Sequence, residues 1–265
     1  MEISEAAFGK VAALFERGSG IRLRDDKRQM VAGRLNALAQ EAGLASLDDY
    51  VERLVRETDP KEVERVVDRL TTNETYFFRE PQHFDFLAQV ASEHRGGHPF
   101  RVWSAASSSG EEAYTIAMVL SEHIRAGTWE VVGTDVSASM VAAARTALYP
   151  MERAKAVPVD LLRRFCLKGQ GDYEGQLLVS RELRGKVRFE QGNLLQPGAD
   201  STPFDVIFLR NVLIYFDPPE KTRIVSNVTK RLRRGGYFIT GHAETLRGIS
   251  TGLKSVRASV YECAS

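Results

Sequence analysis

The sequence lacks several features that would place the chain outside the ordinary class of globular enzymes. It contains two cysteines, Cys166 and Cys263, which stand in unrelated contexts. It has no Cys-x-x-Cys pair and no group of histidines at ligand spacing, so it predicts neither a disulfide framework nor a metal site. Two reduced thiols are typical of a protein of the cytosol.

Long apolar runs and an excess of one charge are also absent. No stretch approaches the roughly 18 apolar residues that a membrane span requires, and the opening MEISEAAFGK lacks the apolar core of a signal peptide. We therefore expect a soluble, cytoplasmic protein with no direct membrane insertion. The formal net charge is +1, which lacks the basic excess of nucleic-acid-binding proteins, so no nucleic-acid partner is expected.

The residues that are present form two different patterns along the chain. Up to about residue 75, apolar residues such as Phe8, Val11 and Phe15 recur at helical spacing, and Ser46 and Asp59-Pro60 are typical helix starts. From about residue 100, short apolar strands alternate with helices, which predicts a mostly parallel sheet covered on both faces. The expected strands are 100–104, 129–134, 187–190, 204–209, 237–240 and 259–263, and the expected helices are 111–125, 137–148 and 218–232.

These patterns predict an α/β protein with two domains. A helical N-terminal domain is expected at residues 1–75, and a doubly wound sheet domain at 76–265. Residues 168–190 interrupt the alternation with four glycines and two short β-like runs. They predict a small hairpin or three-stranded excursion, with a plain surface loop as an equal alternative. Ligands of such sheets bind beyond the carboxyl ends of the strands.

The loop after the first strand argues against a dinucleotide ligand. Its residues are small from Ala105 to Gly110, but two glycines of a G-x-G-x-x-G fingerprint are missing. Glu111 and Glu112 follow at the start of the next helix. Carboxylates there would repel a phosphate and suit an ammonium group, with compensation of the helix dipole as the alternative role.

Asp135 ends the second strand, where an acidic residue commonly accepts hydrogen bonds from ribose hydroxyls. Its alternative role is to cap the following helix, but Ser137 can supply that cap. A ligand with a ribose, an amino-acid ammonium group and no phosphate is S-adenosyl-L-methionine. Methyl transfer from this cofactor leaves S-adenosyl-L-homocysteine as the product.

Two later segments add candidate residues. In GNLL, residues 192–195, Asn193 is a candidate for the adenine edge and Leu194 for its face, with a simple Gly-Asn turn as the alternative. The strand at 204–209 delivers Arg210 and Asn211 to the active edge, with Tyr215 just beyond. The DPPE that follows resembles the acidic-Pro-Pro-aromatic motif of base-amino methyltransferases, but it lacks the aromatic residue, so we interpret it as a helix start.

Four segments in chain order carry a family resemblance: TTNETYFFRE at 71–80, WSAASSSGEEAYTIAM at 103–118, FLRNVLIYFD at 208–217 and GHAETL at 241–246. Together they resemble the chemoreceptor glutamate methyltransferases of bacterial chemotaxis, the CheR family. The resemblance implies a class I methyltransferase fold with a helical N-terminal domain and a small β-subdomain at 168–190. It also implies methyl esterification of glutamates on the cytoplasmic domain of methyl-accepting chemoreceptors.

The same resemblance implies roles for individual residues. Arg79 and Tyr215 are the catalytic candidates, because Tyr215 matches a tyrosine near the transferred methyl and we hypothesise that Arg79 orients the substrate carboxylate. The expected cofactor contacts are Asn73, Thr75 and Arg79 in a linker motif, Glu112 or else Glu111 on the methionine portion, Asp135 on the ribose, Asn193 and Leu194 on the adenine, and Arg210 and Asn211 as later contacts.

The sequence departs from the family's pattern at two places. The loop at 107–114 reads SSSGEEAY where the family commonly has CSTGEEPY, and these changes should preserve cofactor binding. The second helix has few of the arginines that meet acidic receptor helices. Docking is therefore expected to use Arg28 and Arg34, with Arg22, Arg24 and Lys27 nearby. In some members the β-subdomain binds a C-terminal receptor peptide by strand addition, which the sequence leaves open here.

Two other functions are compatible with the sequence. One is a methyltransferase that acts on another protein or on a small molecule. The other is a non-catalytic, cofactor-binding adaptor.

Overall fold

The computed structural model describes residues 1–196, 198, 202–249 and 251–264. The chain divides into two compact units, one formed by Met1–Thr72 with Tyr215–Glu220 and the other by Asn73–Ile214 with Lys221–Ser265. Within the described part of the chain, no helix is both long enough and apolar enough to cross a membrane.

The N-terminal unit is built from helices whose starts are visible in the sequence. The helices are α1 (Glu5–Ser19), α2 (Arg28–Glu41), α3 (Leu47–Glu57) and α4 (Pro60–Leu70). The side chain of Ser46 accepts a hydrogen bond from the first turn of α3, and Asp59 does the same for α4, whose first residue is Pro60. These caps satisfy amides that have no partner inside the helix. Phe8, Val11 and other apolar residues at helical spacing are buried between the helices.

The second unit contains a seven-stranded sheet with helices around it. The strands of the seven-stranded sheet are β1 (Phe100–Ala105), β2 (Trp129–Asp135), β6 (Val187–Gln191), β7 (Phe204–Leu209), β8 (Leu232–Thr240), β9 (Leu253–Arg257) and β10 (Val260–Cys263). Three further strands, β3 (Leu148–Pro150), β4 (Cys166–Lys168) and β5 (Gln176–Val179), form a separate small sheet. The helices of the unit are α5 (Gln82–Glu93), α6 (Glu111–His123), α7 (Ala138–Thr146), α8 (Val159–Phe165), α9 (Arg181–Arg184) and α10 (Pro218–Thr229).

The strand order of the main sheet is β6-β2-β1-β7-β8-β10-β9. The first five strands are parallel, and β10 pairs antiparallel with both β8 and β9. Every residue of β1 and of β7 is buried, because these strands occupy the centre of the sheet. The chain runs outward from β1 to β6 and then returns to β7. The strand order therefore switches between β1 and β7, which is where doubly wound sheets bind their ligands. This is the expected α/β methyltransferase architecture.

The structure differs from the sequence-based elements in several places, and the helices α5, α8 and α9 were not predicted. β9 was not predicted, because most of its side chains are exposed and its sequence lacks an apolar alternation. The helix expected over 137–148 ends at Thr146, since Ala147 adopts a left-handed conformation (φ 58°) and the chain then enters β3. β8 begins at Leu232, five residues before the expected strand, through two glycines that weaken the strand signal.

The small β-subdomain is a three-stranded antiparallel sheet of order β3-β5-β4. β3 lies outside the expected range of 168–190, β4 shares only Lys168 with it, and the last residues of that range join the main sheet as β6. The prediction of a small three-stranded sheet was therefore right, but its predicted limits were wrong. Pairing of β3 with β5 joins residues about thirty positions apart, which local periodicity cannot reveal.

Candidate active site

The loop between β1 and α6 is held in an unusual backbone conformation. Ala106 and Ser108 have φ values of 64° and 49°, and Gly110 has 96°. A left-handed conformation costs a residue with a side chain about 1–3 kcal/mol unless its surroundings impose it. At Gly110, a Cβ atom would approach the Cβ of Ala144 to 2.8 Å, so glycine is required for close packing as well as for φ.

Asp135 fixes this loop from the end of β2. Its Oδ2 accepts a hydrogen bond from the Ser108 amide at 2.8 Å, and its Oδ1 accepts one from the Ser137 amide at 3.0 Å. The hydroxyl of Ser137 accepts from the Met140 amide at 3.1 Å, so Ser137 caps α7 as the sequence predicted. Asp135 thus stands buried and oriented at the carboxyl end of β2, the position from which such sheets bind a ribose.

The neighbouring carboxylates Glu111 and Glu112 have different environments. Glu111 is fully buried, forms an ion pair with Arg153, and accepts a hydrogen bond from the Ser109 hydroxyl at 2.7 Å. Glu112 is on the side of α6 that faces β1 and β7, where it accepts from the Ser104 hydroxyl at 2.7 Å. Both glutamates are paired with an arginine, but the Glu111 side chain is fully buried, whereas the Glu112 side chain is 13% exposed and can be reached by a ligand. The geometry therefore favours Glu112 for the ammonium group, and the assignment stays a prediction.

Arg210 follows β7 and is the centre of the site's ion-pair network. Its guanidinium donates to Glu112 Oε2 at 2.8 Å, to Glu80 Oε2 at 3.1 Å and to the carbonyl of Arg79. It also lies over the ring of Phe84, 5.4 Å from the centroid, and its side chain is 1% exposed. Arg210 therefore orients Glu112 and the segment before α5. The direct cofactor contact expected for Arg210 stays a prediction.

Glu80 was not assigned a role from the sequence, although it ends the motif TTNETYFFRE. Its Oε1 accepts from the side-chain amide of Asn211 at 3.2 Å, and its Oε2 accepts from the His242 amide at 3.2 Å. Burial favours the neutral carboxyl, but the Arg210 guanidinium and the Asn211 amide outweigh it and hold the pKa of Glu80 below its usual range. The ionised carboxylate of Glu80 therefore connects the segment before α5 to the segments that follow β7 and β8 through hydrogen bonds.

Glu244 is a second residue that sequence reasoning missed. Its carboxylate accepts hydrogen bonds from three backbone amides, those of Asn211 at 2.7 Å, Leu213 at 2.6 Å and Gly241 at 2.8 Å. These bonds join the chain after β7 to the chain after β8. They also hold Asn211 in a left-handed conformation (φ 58°) that asparagine tolerates. The sequence signal that could have identified Glu244 was its place as the acidic residue inside the motif GHAETL.

The linker before α5 packs against the same loop. The carbonyl of Asn73 accepts a hydrogen bond from the Ser108 hydroxyl at 3.1 Å, and the Phe78 amide donates to the Thr115 hydroxyl at 3.2 Å. The structure therefore brings Asn73 next to the β1–α6 loop. Thr75 lies between these anchored positions and is half-buried.

Arg79 differs from the other arginines of the site in its pairing. Its guanidinium donates to the carbonyl of Glu74 at 2.8 Å and lies 5.9 Å from the centre of the Tyr76 ring. Across the described ranges it pairs with no carboxylate, whereas Arg153 and Arg210 both do. Arg79 is thus a half-buried positive charge without a counter-ion among the described residues.

Asn193 and Leu194 lie after β6 and line a cavity. Asn193 Oδ1 accepts from the Leu195 amide at 2.9 Å, so the turn weighed as an alternative is present. The side chain of Asn227 donates to the Leu195 carbonyl at 3.1 Å and fixes the turn. Other residues of the cavity wall are Trp103, Val132, Thr134 and Gly192. The turn and an adenine contact are therefore compatible, and the contact stays a prediction.

The remaining predicted site residues belong to the other unit. Tyr215 ends a short 3₁₀ turn and is 37% exposed. Arg28 is exposed at the start of α2. Arg34 donates to the carbonyls of Leu70 at 2.7 Å and Thr71 at 2.9 Å, so it stabilises the carboxyl end of α4. This structural role was not foreseen for Arg34.

Two histidines near Glu80 also went unassigned. His83 lies in α5 and is 2% exposed, and His242 is exposed after β8, with the two ring centroids 4.8 Å apart. Burial, with a contribution from the Arg210 guanidinium, lowers the pKa of His83 to about 4, so its imidazole is neutral at pH 7.

The donor set at the switch point suits S-adenosyl-L-methionine. Oriented carboxylates stand at the end of β2 and in the first turn of α6, where an ammonium group and ribose hydroxyls are suitable ligands and a phosphate is not. Comparison with known proteins agrees. A family model described as CheR methyltransferase, SAM binding domain, matches residues 73–261, and one described as CheR methyltransferase, all-alpha domain, matches residues 6–71.

Several curated relatives align over nearly the whole chain. Chemotaxis protein methyltransferase 2 of Pseudomonas aeruginosa is 39% identical over 263 residues, which covers 97% of this chain and 92% of the relative. The chemotaxis protein methyltransferase of Escherichia coli K12 is 37% identical over 251 residues, covering 92% and 86%. The one from Salmonella typhimurium is 35% identical over 256 residues, covering 94% and 87%. The chain therefore belongs to the CheR family of S-adenosyl-L-methionine-dependent chemotaxis methyltransferases.

Proposed function

We propose that the protein methylates glutamate side chains on the cytoplasmic helices of bacterial chemoreceptors, as a protein-glutamate O-methyltransferase. The observation that carries the proposal is Arg79, a half-buried guanidinium in the cofactor-site segment that pairs with no carboxylate of the described chain. An acceptor that carries its own carboxylate would supply that partner. The relatives' names, which are those of chemotaxis methyltransferases, support an acceptor within the chemotaxis system.

The proposed acceptor makes few chemical demands on the protein. A glutamate with a pKa near 4.3 is already ionised at neutral pH, so its carboxylate needs no general base. The cofactor, when bound, supplies a methyl group activated by a sulfonium. The chain's own residues then have to align the nucleophile and exclude water, and alignment alone can supply up to about 7–11 kcal/mol of the barrier.

Arg79 has a specific task in this scheme. We expect one N–H group to hold one carboxylate oxygen of the acceptor and leave the other oxygen free to react. A bidentate ion pair would stabilise the reactant carboxylate and slow the reaction. Tyr215, assigned by resemblance, is proposed to place its ring face beside the positive sulfonium.

The proposed receptor contacts draw on two surfaces. Arg28 is exposed on α2 and is the candidate for acidic receptor helices, because Arg34 already binds carbonyls of its own unit. In the β-subdomain, β4 is an edge strand with Leu167 60% exposed. Such an edge suits the addition of a receptor C-terminal peptide as a further strand. A cytoplasmic location is part of the same proposal.

The decisive experiment uses labelled S-adenosyl-L-methionine and receptor cytoplasmic fragments, with and without their C-terminal tails. Glutamyl methyl esters release labelled methanol in mild base, whereas N-methyl and ether products retain the label. Base-labile label on the receptor is the expected result. Base-stable label would favour another acceptor, and cofactor binding without any transfer would favour the adaptor function.

A further inference from the structure

We propose that Glu80, His83 and His242 form a binding site for one divalent transition-metal ion of the zinc class. One possible ligand atom from each residue, a carboxylate oxygen and two imidazole nitrogens, all lie within 4.8 Å of one another. Two imidazoles and one carboxylate are a familiar zinc ligand set that leaves a fourth position open for water.

His83 gives the strongest indication of an external ligand. It is 2% exposed, and neither of its ring nitrogens makes a hydrogen bond within the described chain. A buried polar group without a partner costs about 1–3 kcal/mol, so nearly all such groups in native structures have one. A neutral imidazole is the form that binds metals. A cation between His83 and its neighbours would satisfy a nitrogen that the protein leaves unpartnered.

The distances agree with this placement. His83 Nδ1 lies 3.4 Å from Glu80 Oε2 without forming a hydrogen bond. Two ligands at about 2.0–2.1 Å from a tetrahedral zinc ion are roughly 3.3 Å apart. The third ligand, His242, is exposed, so its ring can turn toward the other two with little resistance from packing.

The local charge also favours a divalent cation. Two carboxylates, those of Glu80 and Glu112, share the buried guanidinium of Arg210. The local excess of negative charge favours a cation. Arg210 and the His242 amide also donate to Glu80 Oε2, the oxygen nearest His83 Nδ1, so the ion has to compete with these two donors for that oxygen.

The sequence concealed this arrangement. Glu80 and His83 are close in the chain, whereas His242 follows β8 and is brought to them by the fold, where its amide donates to Glu80 Oε2. The sequence-based prediction of no metal site rested on ligand spacing, which cannot detect ligands from two distant segments.

The test uses the full chain without an affinity tag, stripped of metal by a chelator and titrated with Co²⁺. Visible absorption then reports coordination by nitrogen and oxygen ligands, and Zn²⁺ is added as competitor. We expect one equivalent of Co²⁺ to bind, Zn²⁺ to displace it, and His242→Ala to weaken binding at least tenfold. His242 is exposed, so its replacement should leave the thermal unfolding temperature unchanged.

The chain offers a matched control in its other close pair of histidines. The rings of His94 and His98 lie 5.0 Å apart, but their nitrogens already contact the His98 carbonyl and Asp205. His94→Ala should therefore leave Co²⁺ binding unchanged. The proposal is overturned if no stoichiometric Co²⁺ spectrum develops, if His242→Ala binds like the parent chain, or if His94→Ala abolishes binding.

Discussion

The two units of the molecule use their polar side chains in different ways. In the N-terminal unit, Ser46 and Asp59 cap helices, and Arg34 binds carbonyls at the end of α4. In the second unit, Asp135 and Arg210 are buried charges that connect separate loops at one edge of the sheet. The polar groups of the first unit satisfy amides and carbonyls at helix ends, whereas the buried charges of the second unit connect separate segments at the site.

The largest expected effect is a difference in the free energy of unfolding between replacing Arg210, which forms buried ion pairs, and replacing Arg34, which binds carbonyls at a helix end. Arg210→Ala leaves Glu80 and Glu112 without their cation, and breaking such a buried network commonly costs about 3–5 kcal/mol. Arg34→Ala removes hydrogen bonds to two carbonyls and should cost only about 1–3 kcal/mol. Urea unfolding of both variants measures the difference. Equal losses would remove the distinction between the units.

Arg79→Ala should affect turnover and leave folding nearly intact. Its guanidinium forms no ion pair with the residues that the structure describes, so we expect a loss of roughly 100-fold in kcat, or about 2.7 kcal/mol, with little change in S-adenosyl-L-homocysteine affinity. Steady-state methyl transfer and calorimetric titration measure the two quantities. Arg79→Lys is the matched control and should retain part of the activity. Unchanged methylation by Arg79→Ala would refute its assigned role.

Replacing the two adjacent glutamates should distinguish cofactor binding from structural pairing. Glu112→Gln is expected to weaken S-adenosyl-L-homocysteine binding about tenfold, or about 1.4 kcal/mol, because it removes the charge that we expect to face the ammonium group. Glu111→Gln should lower stability instead, because it leaves Arg153 unpaired. Calorimetric titration and thermal unfolding of both variants measure these effects. If Glu111 binds the ammonium group instead, Glu111→Gln will weaken cofactor binding more than Glu112→Gln does.

The smallest effect concerns helix caps, where the units should behave alike. Ser46→Ala and Ser137→Ala each remove a side chain that accepts from an amide of the first helical turn. Each should lower the free energy of unfolding by about 1 kcal/mol. Denaturant unfolding checks both values. A much larger loss for Ser137→Ala, with weaker cofactor binding, would mean that this cap also supports the site through Asp135.

The sequence predicted local features well because their causes are local. The start of α4 at Asp59-Pro60 follows from capping chemistry, and the limits of β7 follow from an apolar run that contains one polar residue, Asp205. The exposed β9 has no such pattern and was missed. Both kinds of outcome follow from how strongly a segment's own residues determine its conformation.

The same rule applies to the site, where residues with partners in distant segments could not be predicted from the sequence. Asp135 was predictable from its place at a strand end, and its two amide partners lie in that region of the sheet. Glu244 was not, because its role depends on three amides from loops that only the folded sheet brings together. Arg34 was expected at a receptor surface, and its contact with α4 depends on how two helices pack.

The left-handed residues of the β1–α6 loop have a consequence for how the cofactor binds. The left-handed Ser108 is held by the bond from its amide to the carboxylate of Asp135. Because this bond is internal to the protein, the β1–α6 loop has little conformational freedom left to lose when the cofactor binds. Cofactor capture should then resemble docking to a rigid surface, with an association rate that depends on diffusion and charge more than on loop rearrangement.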